Sequence, residues 1–173
     1  MSLEDLILSE TKKLQSLYGA IHETTNFRDR SRSANEAWRR ACNEFHSYES
    51  ALDMYIERVY GDKEFEDQET IQFVILFLEL DPRFFRSGYI KEVMLQKIAR
   101  AELNSKQLKR LSEVLLDAVD RRGGREFRRY CRLANQVFDD ELISELRNRL
   151  SGDRSTASRA KMMLQYLEQA SSI

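Results

Sequence analysis

Pro82 is the only proline in this 173-residue chain, and it is accompanied by only six glycines. A fold made of many short strands needs residues that tolerate the backbone angles of tight turns, and this chain has few of them. Leu, Glu, Arg, Ala and Lys, all good helix formers, are plentiful instead. The sequence therefore predicts an all-α protein of rather long helices. Its length suits a single domain over 1–173, since domains of roughly 100 to 200 residues bury most of their apolar surface.

Apolar spacing places the helices. Leu3, Ile7, Leu14, Leu17 and Ile21 recur at multiples of three and four and define a first helix to about His22. After a polar loop, Ser33 and Glu36 stand at capping-box spacing and start a second helix. The series Trp38, Ala41, Phe45, Tyr48, Leu52, Tyr55 and Val59 alternates steps of three and four, which is heptad spacing. It predicts one unbroken helix from Ser33 to Tyr60, closed by Gly61 and Asp62, so that 1–62 form a long helical hairpin.

Shorter helices are expected over 63–173. Asp67 caps a helix that is apolar on nearly every side from Ile71 to Leu78 and should be the centre of the fold. Asp81 and Pro82 stop it, because proline disfavours helical geometry in the residue before it. A helix beginning at Ser87 or Gly88 should turn Tyr89, Ile90, Val93, Met94 and Ile98 inward. Asn104 or Ser105 starts the next, Gly123 suits its left-handed end, and Phe127 to Phe138, Leu142 to Leu150 and Ala160 to Leu167 supply the rest. The expectation is an antiparallel array of about seven or eight helices that loosely resembles HEAT or armadillo repeats in architecture, with no repeated consensus. The resemblance implies binding along an extended surface.

Chemistry leaves few marks on the sequence. HExxH, GxSxG, GxxxxGK[ST], GxGxxG and EF-hand patterns are all missing. Cys42, His46 and Glu49 share a helical face, but a closed zinc site needs four ligands, and only His22 and Cys131 complete the inventory of His and Cys. No catalytic residue, metal or cofactor is therefore expected. Two cysteines without metal or redox spacing suit a reducing, cytoplasmic setting. The longest apolar run, Phe73 to Leu78, falls far short of the roughly 20 residues that span a bilayer, and no secretory leader is recognisable.

Charge is distributed unevenly. Residues 1–80 carry 9 basic and 16 acidic side chains and residues 81–173 carry 19 and 13, so a net charge of −1 conceals halves of −7 and +6. Arg125, Arg128, Arg129 and Arg132 fall within an arc of about 100° on a helix, opposite Phe127, Tyr130, Cys131, Ala134 and Phe138. Arg121 and Arg122 extend this basic face. Arginine without lysine suits carboxylates or phosphates, which it binds in bidentate fashion. An internal counterpart is available in Glu49, Asp53 and Glu57, an acidic series at four-residue spacing. The segment Phe84-Phe85-Arg86-Ser87-Gly88-Tyr89 reads as a packed corner or as a small recognition surface.

The sequence thus predicts a non-enzymatic protein-interaction or regulatory module, bound to a protein partner or to a second copy of itself, with no membrane partner. The alternative is nucleic-acid or phosphate-ligand binding through the Arg125 to Arg132 face. A slightly acidic chain of pI near 6.2 argues against a dedicated nucleic-acid binder.

Overall fold

The computed structural model describes residues 2–61, 65, 67–121 and 126–170, and among them it contains nine α-helices and no strand. Asp62 and Gly123, expected at helix ends, lie outside the described residues, as do Arg122 and Arg125. Among those described, no helix is long and apolar enough to cross a membrane.

Short polar side chains start most of the helices, each accepting a backbone N–H that the first turn leaves unpaired. Ser2 and Asp5 form a reciprocal capping box on α1 (Leu3–Thr25). Asp67 accepts from the Thr70 N–H at 2.7 Å to begin α4 (Gln68–Leu80). Asn104 and Gln107 bond reciprocally at the start of α6 (Ser105–Arg121). Asp139 caps α8 (Asp140–Arg149), and Asp153 does the same for α9 (Arg154–Ala170). The cap of α2 (Arg32–Ser47) is Ser31, which accepts from the Ala34 N–H at 3.1 Å; the expected Ser33 lies already inside the helix. Glu36 pairs with Arg32 at 3.0 Å rather than closing a capping box.

The long heptad helix does not exist. The chain leaves helical geometry at Tyr48 (φ −75°, ψ 119°) and resumes it as α3 (Asp53–Gly61), which explains why more helices form than the spacing predicts. Glu10 on α1 holds the break in place. Its carboxylate accepts the Tyr48 hydroxyl at 3.0 Å, the Ser50 hydroxyl at 2.7 Å and the Ala51 N–H at 3.3 Å. Ser50 and Asp53 then cap α3, Ser50 Oγ accepting the Leu52 N–H at 3.2 Å and the Asp53 carboxylate accepting the Ser50 N–H at 2.9 Å. The apolar seam is thereby divided: α2 packs on α1, while Tyr55 of α3 stacks on Phe73 of α4 with ring centroids 4.7 Å apart.

Central α4 buries Ile71, Phe73, Val74, Ile75, Phe77 and Leu78, as its all-round hydrophobicity requires. Beyond it the helices form two rows. In one, α4, α6 and α8 lie side by side: Arg110 forks onto both oxygens of Glu79 at 2.6 Å, and Arg149 onto Asp120 at 2.9 and 3.0 Å. In the other, α5 (Ser87–Ile98), α7 (Phe127–Val137) and α9 follow one another, with Gln136 of α7 donating to the carbonyl of Ala101 just past α5 at 2.7 Å. Arg159 of α9 ties the rows together by donating to the Val119 and Asp120 carbonyls at the end of α6. The architecture is an all-helical packed array with the loosely HEAT-like character anticipated.

Glu10 should be the polar residue of the N-terminal half most sensitive to substitution. We expect Glu10→Ala, which orphans three donors, to lower unfolding free energy by about 1.5 to 3 kcal/mol in urea titrations, with Glu10→Gln losing less.

Candidate functional site

Among the described residues, no arginine of the basic face pairs with the acidic series. Glu49 lies past the end of α2, whereas Asp53 and Glu57 belong to α3, so the three do not share one helix face. Among the described residues neither Glu49 nor Glu57 forms an ion pair, and the Asp53 carboxylate serves as a cap. Of the six arginines, Arg122 and Arg125 are outside the described residues. Arg121 ends α6 and pairs with Asp117 one turn back at 3.2 Å, an exposed contact of small worth. On α7 the division into faces is as expected, with Phe127, Tyr130, Cys131 and Ala134 buried; Phe138, just past the helix, is exposed. Arg129 is half-buried and reaches Glu92 of α5 at 3.7 Å, while Arg128 and Arg132 are exposed without an ion-pair partner among the described residues.

The other candidate chemistry is spent on structure. His46 Nδ1 is 2.7 Å from the Cys42 carbonyl, and the described residues include no group of three or more His, Cys, Asp or Glu able to hold a metal. Burial pushes the Cys131 thiol up to about 12, so it is a packing residue and not a nucleophile at neutral pH.

Among the described residues, a large concavity lies at the corner between α4 and α5. It is an open groove of about 1060 Å³, lined by Leu14 of α1, Phe45 of α2, Ile56 and Tyr60 of α3, and Phe84, Phe85 and Tyr89 of the corner. Asp53 and Arg86 contribute the charged groups of the lining. Phe85 lies on Tyr18 of α1 with centroids 4.7 Å apart and meets Phe45 edge-on at 5.7 Å, while Phe84 points inward against Phe77 at 6.2 Å. A shallower depression of about 410 Å³ lies on the far side of Phe85, against Gln15, Tyr18 and Gly19.

Local backbone chemistry builds this corner. Asp81 ends α4 in the left-handed region at φ 48°, and its N–H donates to the Phe77 carbonyl at 3.1 Å. Pro82 forbids further helix. The Asp81 carboxylate receives the ammonium of Lys91, a side chain only 3% exposed. Burial pushes Lys91 down to about 8, with Glu126 opposing and the Arg83 charge adding to the shift. Ser87 bonds Phe84 in both directions, through its N–H at 3.0 Å and its hydroxyl at 3.2 Å.

Arg86 is left at φ 68°, the N-cap of α5 with no side-chain cap bond, and its guanidinium lies 5.3 Å from the centroid of the Phe85 ring. A left-handed conformation costs a residue with a Cβ about 1 to 2 kcal/mol, and such outliers concentrate at functional sites. Tyr89, expected inward, points out because Ile90, Met94 and Ile98 take the core side of α5.

The segment Phe84 to Tyr89 is therefore both a packed corner and a surface. Phe84 is its packed member, and Tyr60, Phe85 and Tyr89 in the lining of the groove remain 51%, 42% and 56% exposed. No family model, curated protein or solved structure matches the chain.

Substitution at Arg86 separates strain from surface chemistry. Arg86→Gly relieves the left-handed penalty but loses the ring contact, so we expect its stability to stay within about 1 kcal/mol of the parent or to rise. Arg86→Val should lose about 1 to 2 kcal/mol by thermal or urea unfolding. A glycine variant destabilised by more than the valine one would refute the strain assignment.

Proposed function

We propose that this chain is a non-enzymatic protein-interaction or regulatory module that docks its partner over the aromatic groove between α3 and the corner before α5. The carrying observation is that Tyr60, Phe85 and Tyr89 are left exposed along the lining of an open concavity of about 1060 Å³. Contiguous exposed apolar surface is costly to maintain in water, and its usual use is an interface. Tyr and Arg beside a pocket are also the residue types that carry most binding energy at protein interfaces. The strained Arg86 at the rim supports the same reading, since a residue held against its backbone preference needs some compensating use. We infer a cytoplasmic setting from the two free cysteines, one of them partly accessible.

A second reading rests on Arg128 and Arg132, exposed on α7 and without ion-pair partners among the described residues. They form a place where phosphates could bind. This reading predicts affinity for a single-stranded oligonucleotide that falls steeply with salt and drops about tenfold or more when both arginines become alanine; affinity unaltered by both changes would remove it.

The docking proposal is tested by a photo-crosslinking phenylalanine analogue placed at position 89 in cells producing the full chain, with position 161 on α9 as control. We expect a discrete protein adduct from position 89 and none from 161. Equal or absent crosslinking at the two positions would overturn the proposal.

A further inference from the structure

We infer that the partner segment received here is an acidic peptide, an apolar side chain over Phe85 flanked on each side by a carboxylate; the inference rests on the docking role proposed above. The groove and the shallower depression adjoin, sharing Phe84 and Phe85. Each has one arginine in its lining, Arg86 in the groove and Arg83 in the depression. Among the described lining residues Asp53 is the one carboxylate, and its Oδ2 accepts the Ser50 N–H as part of the start of α3. Two guanidinium groups against one carboxylate leave the joined surface basic, and the charge that complements it is negative.

The corner does not neutralise these arginines itself. From Asp81 to Lys91 the chain carries three basic side chains and one acidic, a net of +2. The one acid is shared, because Asp81 Oδ1 takes the buried Lys91 while Oδ2 stands 3.6 Å from Arg83, whose side chain is 74% exposed. Arg83 is thus only weakly attached. Arg86 has no ion pair among the described residues, and its guanidinium lies 5.3 Å from the centroid of the Phe85 ring. A carboxylate that reaches Arg86 therefore comes to rest beside an exposed ring, and the neighbouring side chain of the same peptide can pack on Phe85, Tyr60 or Tyr89. Arginine binds a carboxylate through two parallel, charge-assisted hydrogen bonds, and the adjoining apolar contact strengthens them by excluding water. Because the two arginines line separate depressions on either side of Phe85, two single carboxylates suit them, whereas one phosphate group would engage only one. A volume of about 1060 Å³ stands at the upper end of the roughly 300 to 1000 Å³ typical of ligand pockets, so a short segment enters it rather than the face of a domain.

Selection of a displayed library of random short peptides on the immobilised full chain tests this directly. We expect the enriched sequences to carry Asp or Glu on both sides of an aromatic or aliphatic residue, and a synthetic copy of the most enriched one to bind with a Kd of about 1 to 100 µM by fluorescence anisotropy. The double variant Arg83→Glu, Arg86→Glu, checked for native circular dichroism, should bind that peptide at least about tenfold more weakly. It should also bind the counterpart peptide, with lysine in place of each acidic residue, at least about tenfold more tightly than the parent chain does; a misfolded variant could not give this gain. Enriched sequences that are neutral or basic, the absence of any enrichment, or an affinity unaltered in the double variant overturns the inference. Sedimentation equilibrium of the parent chain alone should show a monomer, and a dimer weakened by the same reversals would make a second copy the occupant instead. The docking role is judged separately. A position-89 adduct with a protein whose crosslinked segment lacks acidic residues would preserve that role while eliminating the acidic peptide.

Discussion

The pair between buried Lys91 and partly buried Asp81 is the interaction on which the proposed docking face depends. Asp81 lies where α4 must end, in a left-handed conformation ahead of the proline, and Lys91 is one helical turn into α5. Bringing an ammonium to 3% exposure has a desolvation cost that pushes its pKa down, which the Asp81 carboxylate in contact and the charge of Glu126 offset. The pair joins the end of one helix to the body of the next. Between them Pro82, Ser87 and Ile90 are buried and Phe84 turns back onto Phe77, while Phe85 and Arg86 are left at the surface.

The opposite wall of the groove depends on a second polar constraint. Without the Glu10 carboxylate to receive Tyr48, Ser50 and Ala51, only the local caps at Ser50 and Asp53 would favour interrupting a helix whose apolar seam runs on without a fault. With it, α3 leaves the line of α2 and comes to pack against α4 and α5, placing Ile56 and Tyr60 across from Phe85 and Tyr89. Two partly buried carboxylates, Glu10 and Asp81, thus shape the concavity, while the aliphatic core supplies the bulk of the cohesion.

Much of the array is readable in the sequence because local rules and packing agree there. The caps at Asp67 and Asn104, the all-apolar α4, the stop at Pro82 and the buried face of α7 follow from residue type and spacing. The break after α2 is harder to read, since heptad periodicity continues through it and the deciding group, Glu10, is some forty residues away in sequence. Its one local sign was Ser50 and Asp53 at capping spacing inside the seam. A pairing of the arginine face with Glu49, Asp53 and Glu57 is not seen among the described residues for a related reason: the acidic series is divided by the break, and Arg129 takes Glu92 on its immediate neighbour α5. The groove was only half legible. The aromatic run announced either a corner or a surface, and the choice rests on left-handed angles at Asp81 and Arg86 that composition does not reveal.

Amide hydrogen exchange in Lys91→Met tests most directly the claim that the Lys91–Asp81 pair builds the proposed docking face. If the pair holds the corner, exchange at Phe84, Ser87 and Tyr89 should accelerate about tenfold or more, while amides of α6 and α8 change by less than about threefold. Acceleration spread evenly over all helices, or a corner whose protection is unchanged, would contradict the account.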